Sequence, residues 1–361
     1  MQKRSLLAIT TLLILGAVIL TLRWPGDGVD PLPRPPLERA FEGLDTLARQ
    51  FPPPGDERLA WPRDHGAKPE QFAESWLFAG LVHDEGGAAY GFQLAFDRVA
   101  LQAQPPERGS NWAARDIYRA RFAIEPAGAR VRSGERVSRA ALGLAGAEAE
   151  PARAWLEDWE FTLDERAGGF LLRAGDAGAG MVLRLTMPGT APTGVETEIY
   201  RGYWWPGLRA EGTLDIDGQS RAVSGHAMLD RLWGRGLPVG RGQLALARSW
   251  FDLGGGAALR CEHWRRRAGG GAPLTECLGH AVRNIEAIRL EPEDQGWRTL
   301  AGVRYPLGWR LELGAGSQPR EFLPLSPEKP ASISGSWSGI LVEAGDDARW
   351  ALLELSNFAA P

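Results

Sequence analysis

Lysine is nearly missing from this chain. Lys3, Lys68 and Lys329 are the only three in 361 residues, and arginine supplies the rest of the positive charge. With Ala, Gly and Pro abundant, this bias reads as the imprint of a GC-rich genome rather than as a binding surface. The net charge is only −4, so no global field draws the chain to nucleic acid. Its five histidines are scattered, without H-x-x-x-H or Cys/His spacing, which argues against a zinc site. No G-x-G-x-x-G lies between a strand and a helix and there is no G-K-S/T, so GGGAALR and RAGGGAP read as loop tips rather than phosphate cradles. A G-x-S-x-G nucleophile elbow is also missing. No metal and no cofactor are expected.

One long hydrophobic run is present. Residues Ser5 to Leu22 are uncharged and follow Lys3 and Arg4. The run is near the ~20 residues that cross a bilayer and longer than the ~7–15 of a secretory h-region. No A-x-A site follows, and no nearby cysteine offers a lipid attachment point. The expectation is an uncleaved signal anchor over residues 1–23, with the inner membrane as partner through residues 5–22 and the body in the periplasm; a cleaved signal peptide is the alternative. Residues 24–55 read as a Pro-rich stalk and then an amphipathic helix, with Leu37, Phe41, Leu44, Leu47 and Phe51 on one face.

The two cysteines suit an oxidising compartment. Cys261 and Cys277 flank the glycine-rich reversal RRRAGGGAPL at nearly equal distances. A hairpin there admits a cross-strand disulfide. Two free buried thiols are the other reading, because a slip of one residue would send the side chains to opposite faces.

From Phe72 onward, short alternating stretches are separated by Gly, Pro and Asp. YGFQLAF places Phe92, Leu94 and Phe96 on one face, and DWEFTLD does the same with Trp159, Phe161 and Leu163. Asp217-Gly218 is a strong hairpin signal, and ILVEAGDDARWALLEL folds back at Gly345 to Asp347. The fold class is therefore all-β, antiparallel, built of barrel-like meanders. Fifteen tryptophans, many in the second half, point to core filling together with some lining of an apolar cavity.

WPRDHG (Trp61 to Gly66), ESWLFAG (Glu74 to Gly80), YGFQLAF (Tyr90 to Phe96), RVSRAALGLAG (Arg136 to Gly146) and AWLEDWEF (Ala154 to Phe161) follow one another in the order and spacing of the AttH-like proteins. The chain resembles that family, which is related to hydroxyneurosporene synthase, the carotenoid 1,2-hydratase. GYWWPGLRAEGTLDIDGQSRAVSGHAMLDRLWG is similar to the family's junction segment. The resemblance implies two lipocalin-like antiparallel barrel or sandwich domains in tandem, here residues 56–210 and 211–361, with a ligand cavity near their junction. It also implies, as relatives suggest, hydratase or hydrolase-like chemistry, or service beside an ABC-type permease.

Strand alternation through VSGHAMLD puts His226, Met228, Asp230 and Leu232 on one face. A carboxyl in an apolar cavity stays protonated and can protonate an alkene, which is the role Asp230 would take. The residues expected around it are His226, Met228, Trp233, Trp76, Phe78, Tyr203, Trp204, Trp205 and Trp250. Where many relatives read Asp-His this chain reads Asp230-Arg231, and CEHW lacks the Tyr and Asp of a carotenoid hydratase. Asp64-His65 reads as a structural hydrogen-bonding pair in a loop, His83-Asp84 as a hairpin tip, and GYWWPG as an aromatic strand end at the domain junction. Two functions are expected from these residues. The first is a membrane-anchored periplasmic protein holding a hydrophobic small molecule, lipid or isoprenoid, beside an ABC-type permease. The alternative is an enzyme acting on such a molecule with Asp230 as general acid.

Overall fold

The computed structural model describes residues 45–104, 114–176, 178–282, 285–314, 316–327, 329 and 336–358. The expected anchor and stalk, and Leu37, Phe41 and Leu44 of the amphipathic segment, lie outside these residues. Among the described residues no helix is long and apolar enough to cross a membrane. Phe51, from the same segment, is buried against Phe72 with ring centroids 5.4 Å apart.

The body is antiparallel β in two nearly closed, barrel-like sheets in tandem. The first contains β1 (Ala73–Asp84), β2 (Ala89–Ala100), β3 (Asp116–Pro126), β4 (Arg132–Arg139), β5 (Ala145–Glu148), β6 (Arg153–Leu156), β7 (Trp159–Asp164), β8 (Gly169–Asp176), β9 (Ala179–Thr186), β10 (Thr193–Glu196), β11 (Tyr200–Ile216) and β12 (Gln219–Gly234). Two meanders, β1 to β4 and β5 to β9, are joined because β12 pairs with β1 and β11 pairs with β9. The β11–β12 hairpin turns at Asp217-Gly218, whose φ angles of 51° and 80° meet the demand of a two-residue turn for positive φ at both positions.

The second sheet contains β13 (Leu244–Asp252), β14 (Ala258–Arg266), β15 (Leu274–His280) and β16 (Arg289–Pro292). A separate hairpin follows, β17 (Trp297–Leu300) with β18 (Val303–Pro306). Then β19 (Trp309–Glu312), β20 (Arg320–Pro324), β21 (Trp337–Glu343) and β22 (Asp346–Ser356) complete the second sheet. Cys261 and Cys277 stand directly opposite each other in β14 and β15 and are joined as a disulfide.

Residue 210, the expected boundary, falls inside β11. That strand stays in the first sheet to Ile216, and the chain crosses to the second only between Gly234 and Leu244. GYWWPG is not a strand end. It forms the first part of a 17-residue strand, with a register shift between Trp205 and Leu208 around Pro206-Gly207. Phe92, Leu94, Phe96, Trp159, Phe161 and Leu163 share the apolar core inside the first barrel. Leu77, Ala79, Met228, Trp204, Trp250 and Ile340 belong to a second core, between the two sheets. The strands β1, β11 and β12 supply both cores. Burial on both faces of β1, of β11 up to Pro206 and of β12 from Ala227 explains why these stretches run apolar without clean alternation.

Candidate functional site

The wall formed by β1, β11 and β12 divides the expected pocket into two compartments. Met228, Asp230, Trp204 and Trp250 face the second sheet. Trp76, Phe78, Tyr203, Trp205 and Trp233 face into the first barrel. His226 shares the outer face with Met228 but is exposed, and joins neither group.

Asp230 is fully buried and is not free to act as an acid. Its Oδ1 accepts from Arg248 Nη2 at 3.1 Å, and Oδ2 accepts from Trp250 Nε1 at 2.9 Å and Arg260 Nε at 2.7 Å. Three donors, two of them cationic, occupy the carboxylate as an acceptor. Arg260 also pairs with Glu262 at 3.1 Å, and Glu262 accepts from Tyr200 Oη at 2.9 Å. Burial works against the Arg260 charge, but Asp230 and Glu262 outweigh it and raise its pKa. The group ties the first sheet to the second. Beside it, Trp204, Met228, Trp250 and Trp350 line a crevice of about 10 Å³, room for about one water.

Arg231 points the other way, into the first barrel. Its guanidinium lies 3.9 Å from the Trp76 ring and 5.1 Å from that of Trp233, and pairs with Glu74. It also donates to Gly66 O at 2.7 Å and Leu232 O at 2.8 Å. Glu74 takes a second guanidinium, Arg98 Nε at 2.7 Å, and the Lys68 backbone N–H at 2.8 Å. Burial opposes ionisation of Glu74, yet Arg231 and Arg98 together hold its carboxyl below the usual range. Arg98 donates onward to Asp116 and to the carbonyls of Lys68 and Gln71. This network fastens the loop from residue 60 to 72 across the mouth of the barrel. Asp64 helps from within the loop, accepting from Ala60 N at 2.7 Å and Lys68 Nζ at 2.6 Å.

The fastened loop delivers His65 to a defined place. Its Nδ1 sits 2.5 Å from Tyr203 Oη, and both residues are buried. The imidazole packs in one aromatic cluster with Trp61 (centroids 5.0 Å apart, 27° between planes) and Trp205 (5.6 Å, 6°), which also touch each other at 6.0 Å, and with Phe170 edge-on at 5.3 Å. Trp76 Nε1 holds the His65 carbonyl at 2.9 Å. Burial first, then the Arg231 charge, lowers the His65 pKa to about 4. Burial raises that of Tyr203, with Arg231 opposing. At neutral pH the pair is a neutral imidazole against a neutral phenol. One proton lies between Nδ1 and the phenolic oxygen, donated by the phenol when the imidazole carries its own proton on Nε2 and by Nδ1 in the other tautomer. Trp61, which stacks on His65, is 40% exposed and so connects the buried pair to the surface.

Sequence reasoning gave Asp64 the structural role it has and placed Tyr203 and Trp205 in a pocket. It missed the pairing of His65 with Tyr203, 138 positions away. It also gave no site role to Glu74, Arg98 or Arg231. Their signal is a charged residue inside each of three apolar strands, a costly placement that calls for a partner. Among the described residues no group of His, Cys, Asp or Glu is arranged to hold a metal ion.

The sequence profile of the AttH-like family matches residues 52–337. None of the curated proteins matches. The fold is similar to the crystal structure of a putative AttH from Nitrosomonas europaea, at TM-score 0.69 and 19% identity, over 85% of this chain and 99% of that one. It is also similar to kievitone hydratase from Nectria haematococca (TM-score 0.56, 11% identity, 85% and 97% covered) and to CghA solved with Sch210972 (0.53, 15%, 87% and 97%). Two of the quoted motifs meet around the barrel mouth: WPRDHG supplies Trp61, Asp64 and His65, and ESWLFAG supplies Glu74 and Trp76. With the profile covering most of its length, the chain belongs to the AttH-like family.

Proposed function

We propose that the protein takes an apolar ligand at the Trp61 end of the first barrel, and that His65 and Tyr203 add or remove water on it. The observation that carries this reading is the 2.5 Å His65–Tyr203 contact, buried against the indole rings of Trp61 and Trp205. In the dehydrating direction Tyr203 turns its hydroxyl to the ligand and frees the Nδ1 lone pair. His65 then takes a proton from carbon, the neighbouring C–O bond breaks, and the departing hydroxide takes the phenolic proton and leaves as water. The short contact lets His65 return its proton to the phenolate, and the Arg231 charge favours that phenolate while it lasts. Hydration is the reverse. A phenol with a raised pKa is too weak an acid to protonate an isolated alkene. The chemistry therefore fits an alkene conjugated to a carbonyl, or its β-hydroxy counterpart, on an apolar frame. The fold likeness to a hydratase supports the class of reaction. We assign the acid–base role to this pair rather than to Asp230, whose oxygens are occupied by Arg248, Arg260 and Trp250.

The test is incubation of the full chain with a long-chain α,β-unsaturated ketone in ¹⁸O-labelled water, read by mass spectrometry. Incorporation by the parent, with loss in both Tyr203→Phe and His65→Gln, is the expected result. Equal incorporation by all three would end the assignment. Retention of ligand by all three without incorporation would leave a binding protein.

For the setting, we propose an anchor through residues 5–22 with the body in the periplasm, serving an ABC-type permease. The uncharged run from Ser5 to Leu22 supports the anchor, and the Cys261–Cys277 disulfide supports an oxidising compartment. Protease protection in spheroplasts tests the location, and co-purification with a permease tests the partner. A body sheltered from external protease would overturn the first.

A further inference from the structure

The β17–β18 hairpin carries a charge arrangement that the barrel-mouth site does not use. Trp297 opens β17 and packs half-buried on the core of the second sheet. Two guanidiniums converge on its ring. The Arg265 Cζ, from β14, lies 4.8 Å from the ring centroid, and the Arg304 Cζ, from β18, lies 4.9 Å from it. Among the described residues neither arginine forms an ion pair; Arg304 is exposed, but Arg265 is half-buried, a setting in which most of the other described arginines have a carboxylate. Arg266 and Arg267 follow on the exposed tip of the β14–β15 hairpin. Arg298 is engaged locally, donating to the carbonyls of Gln295 and Trp297.

Each guanidinium is attracted to the indole face, but the two repel each other. The cost is visible on Arg265: burial and then the charge of Arg304 hold its pKa below the ordinary arginine value. A pair of like charges gathered on one ring is relieved by a shared anion. Guanidinium forks match tetrahedral oxyanions through paired N–H donors. The oxygens of a phosphate are spread tetrahedrally and can meet two forks from different directions, which the two coplanar oxygens of a carboxylate cannot, and this selects phosphate.

We propose that Arg265, Trp297 and Arg304 form a phosphate-binding site, with Arg266 and Arg267 adding to the field through which the anion approaches. The group bound is a phosphate, either free or carried on a lipid headgroup.

The full chain in neutral detergent is titrated with inorganic phosphate by calorimetry. In parallel it is floated with phosphatidylcholine vesicles with and without phosphatidylglycerol. Arg304→Gln, at an exposed position, is the main variant; Arg265→Lys keeps the charge but removes the fork. One phosphate bound per chain, weakened about tenfold or more in both variants, establishes a site for free phosphate. No response to inorganic phosphate, but a phosphatidylglycerol-dependent gain in flotation that both variants lose, establishes the headgroup as the source. The site is overturned if neither probe binds better to the parent than to Arg304→Gln. It is also overturned if Arg265→Lys behaves as the parent, since charge without the fork would then suffice. Comparison with the variants removes any contribution of residues 5–22 to vesicle binding, because both keep that segment.

Discussion

Asp230 and Arg231 are consecutive residues that enter opposite compartments. Asp230 joins Arg248 and Arg260 between the two sheets, and Arg231 joins Glu74 inside the first barrel. The period-two geometry of a strand makes this separation automatic. An arginine next in the chain therefore leaves Asp230 untouched, and its counter-charges come from β13 and β14 instead. One strand thus pins a barrel-mouth loop with one residue and a neighbouring sheet with the next.

Glu74→Gln should be strongly destabilising. The substitution keeps the shape but leaves Arg231 and Arg98 without their shared carboxylate at fully buried positions. Breaking one partner of a buried pair typically costs about 3–5 kcal/mol. Urea unfolding should show a lower midpoint with a near-parental slope, and a midpoint within error of the parent would refute the account of the loop's fastening.

Asp230→Asn should cost about 3 kcal/mol, the lower end of that range, because Arg248 and Arg260 lose the carboxylate they share between the sheets but keep Glu354 and Glu262. At a temperature where the variant remains folded, water incorporation into a ligand should survive. Its loss from a fully folded variant would return the acid's role to Asp230.

Much of the fold was legible in the sequence. The Asp217-Gly218 turn and the alternation in YGFQLAF needed only local rules, and the structure follows both. The change from first to second sheet was not legible, because the first half of β11 and the second half of β12 are buried on both faces and those runs carry no mark of which sheet they join. The pocket residues could be gathered by aromatic content, but not divided. Trp204 and Trp205 are neighbours and look alike in the sequence, yet strand geometry sends one towards the second sheet and the other into the first barrel. The His65–Tyr203 contact was beyond reach, since it depends on a loop held by Arg231 and Arg98 from distant strands.

Reducing Cys261–Cys277 should lower stability by about 3 kcal/mol, the chain-entropy expectation for a loop of this size; the cysteines are 16 residues apart. Unfolding with and without a phosphine reductant measures it. The half-buried Cys277 gives the reductant a route to the bond. No shift under conditions that titrate two thiols would mean that the β14–β15 register alone holds this hairpin.

Stability should fall with acid through the histidine range, and His65 should account for part of the fall. Burial and Arg231 lower its pKa from 6.5 to about 4, while burial and Arg265 do the same for His263. Between those limits the unfolded chain holds protons that the native state refuses, so unfolding takes up protons and stability rises with pH. The contribution is fully present above about pH 6.5, shrinks as pH falls, and is exhausted below about pH 4, with each histidine worth about 3 kcal/mol over the window. In His65→Gln the slope of unfolding free energy between pH 6.5 and 4 should drop by about one proton's worth, leaving that of His263 and the carboxylates. The His65 ring resonances of the parent should stay in their neutral positions down to about pH 5. A midpoint near 6.5 would show that the imidazole is open to water, and would remove the neutral, sheltered base on which the proposed chemistry depends.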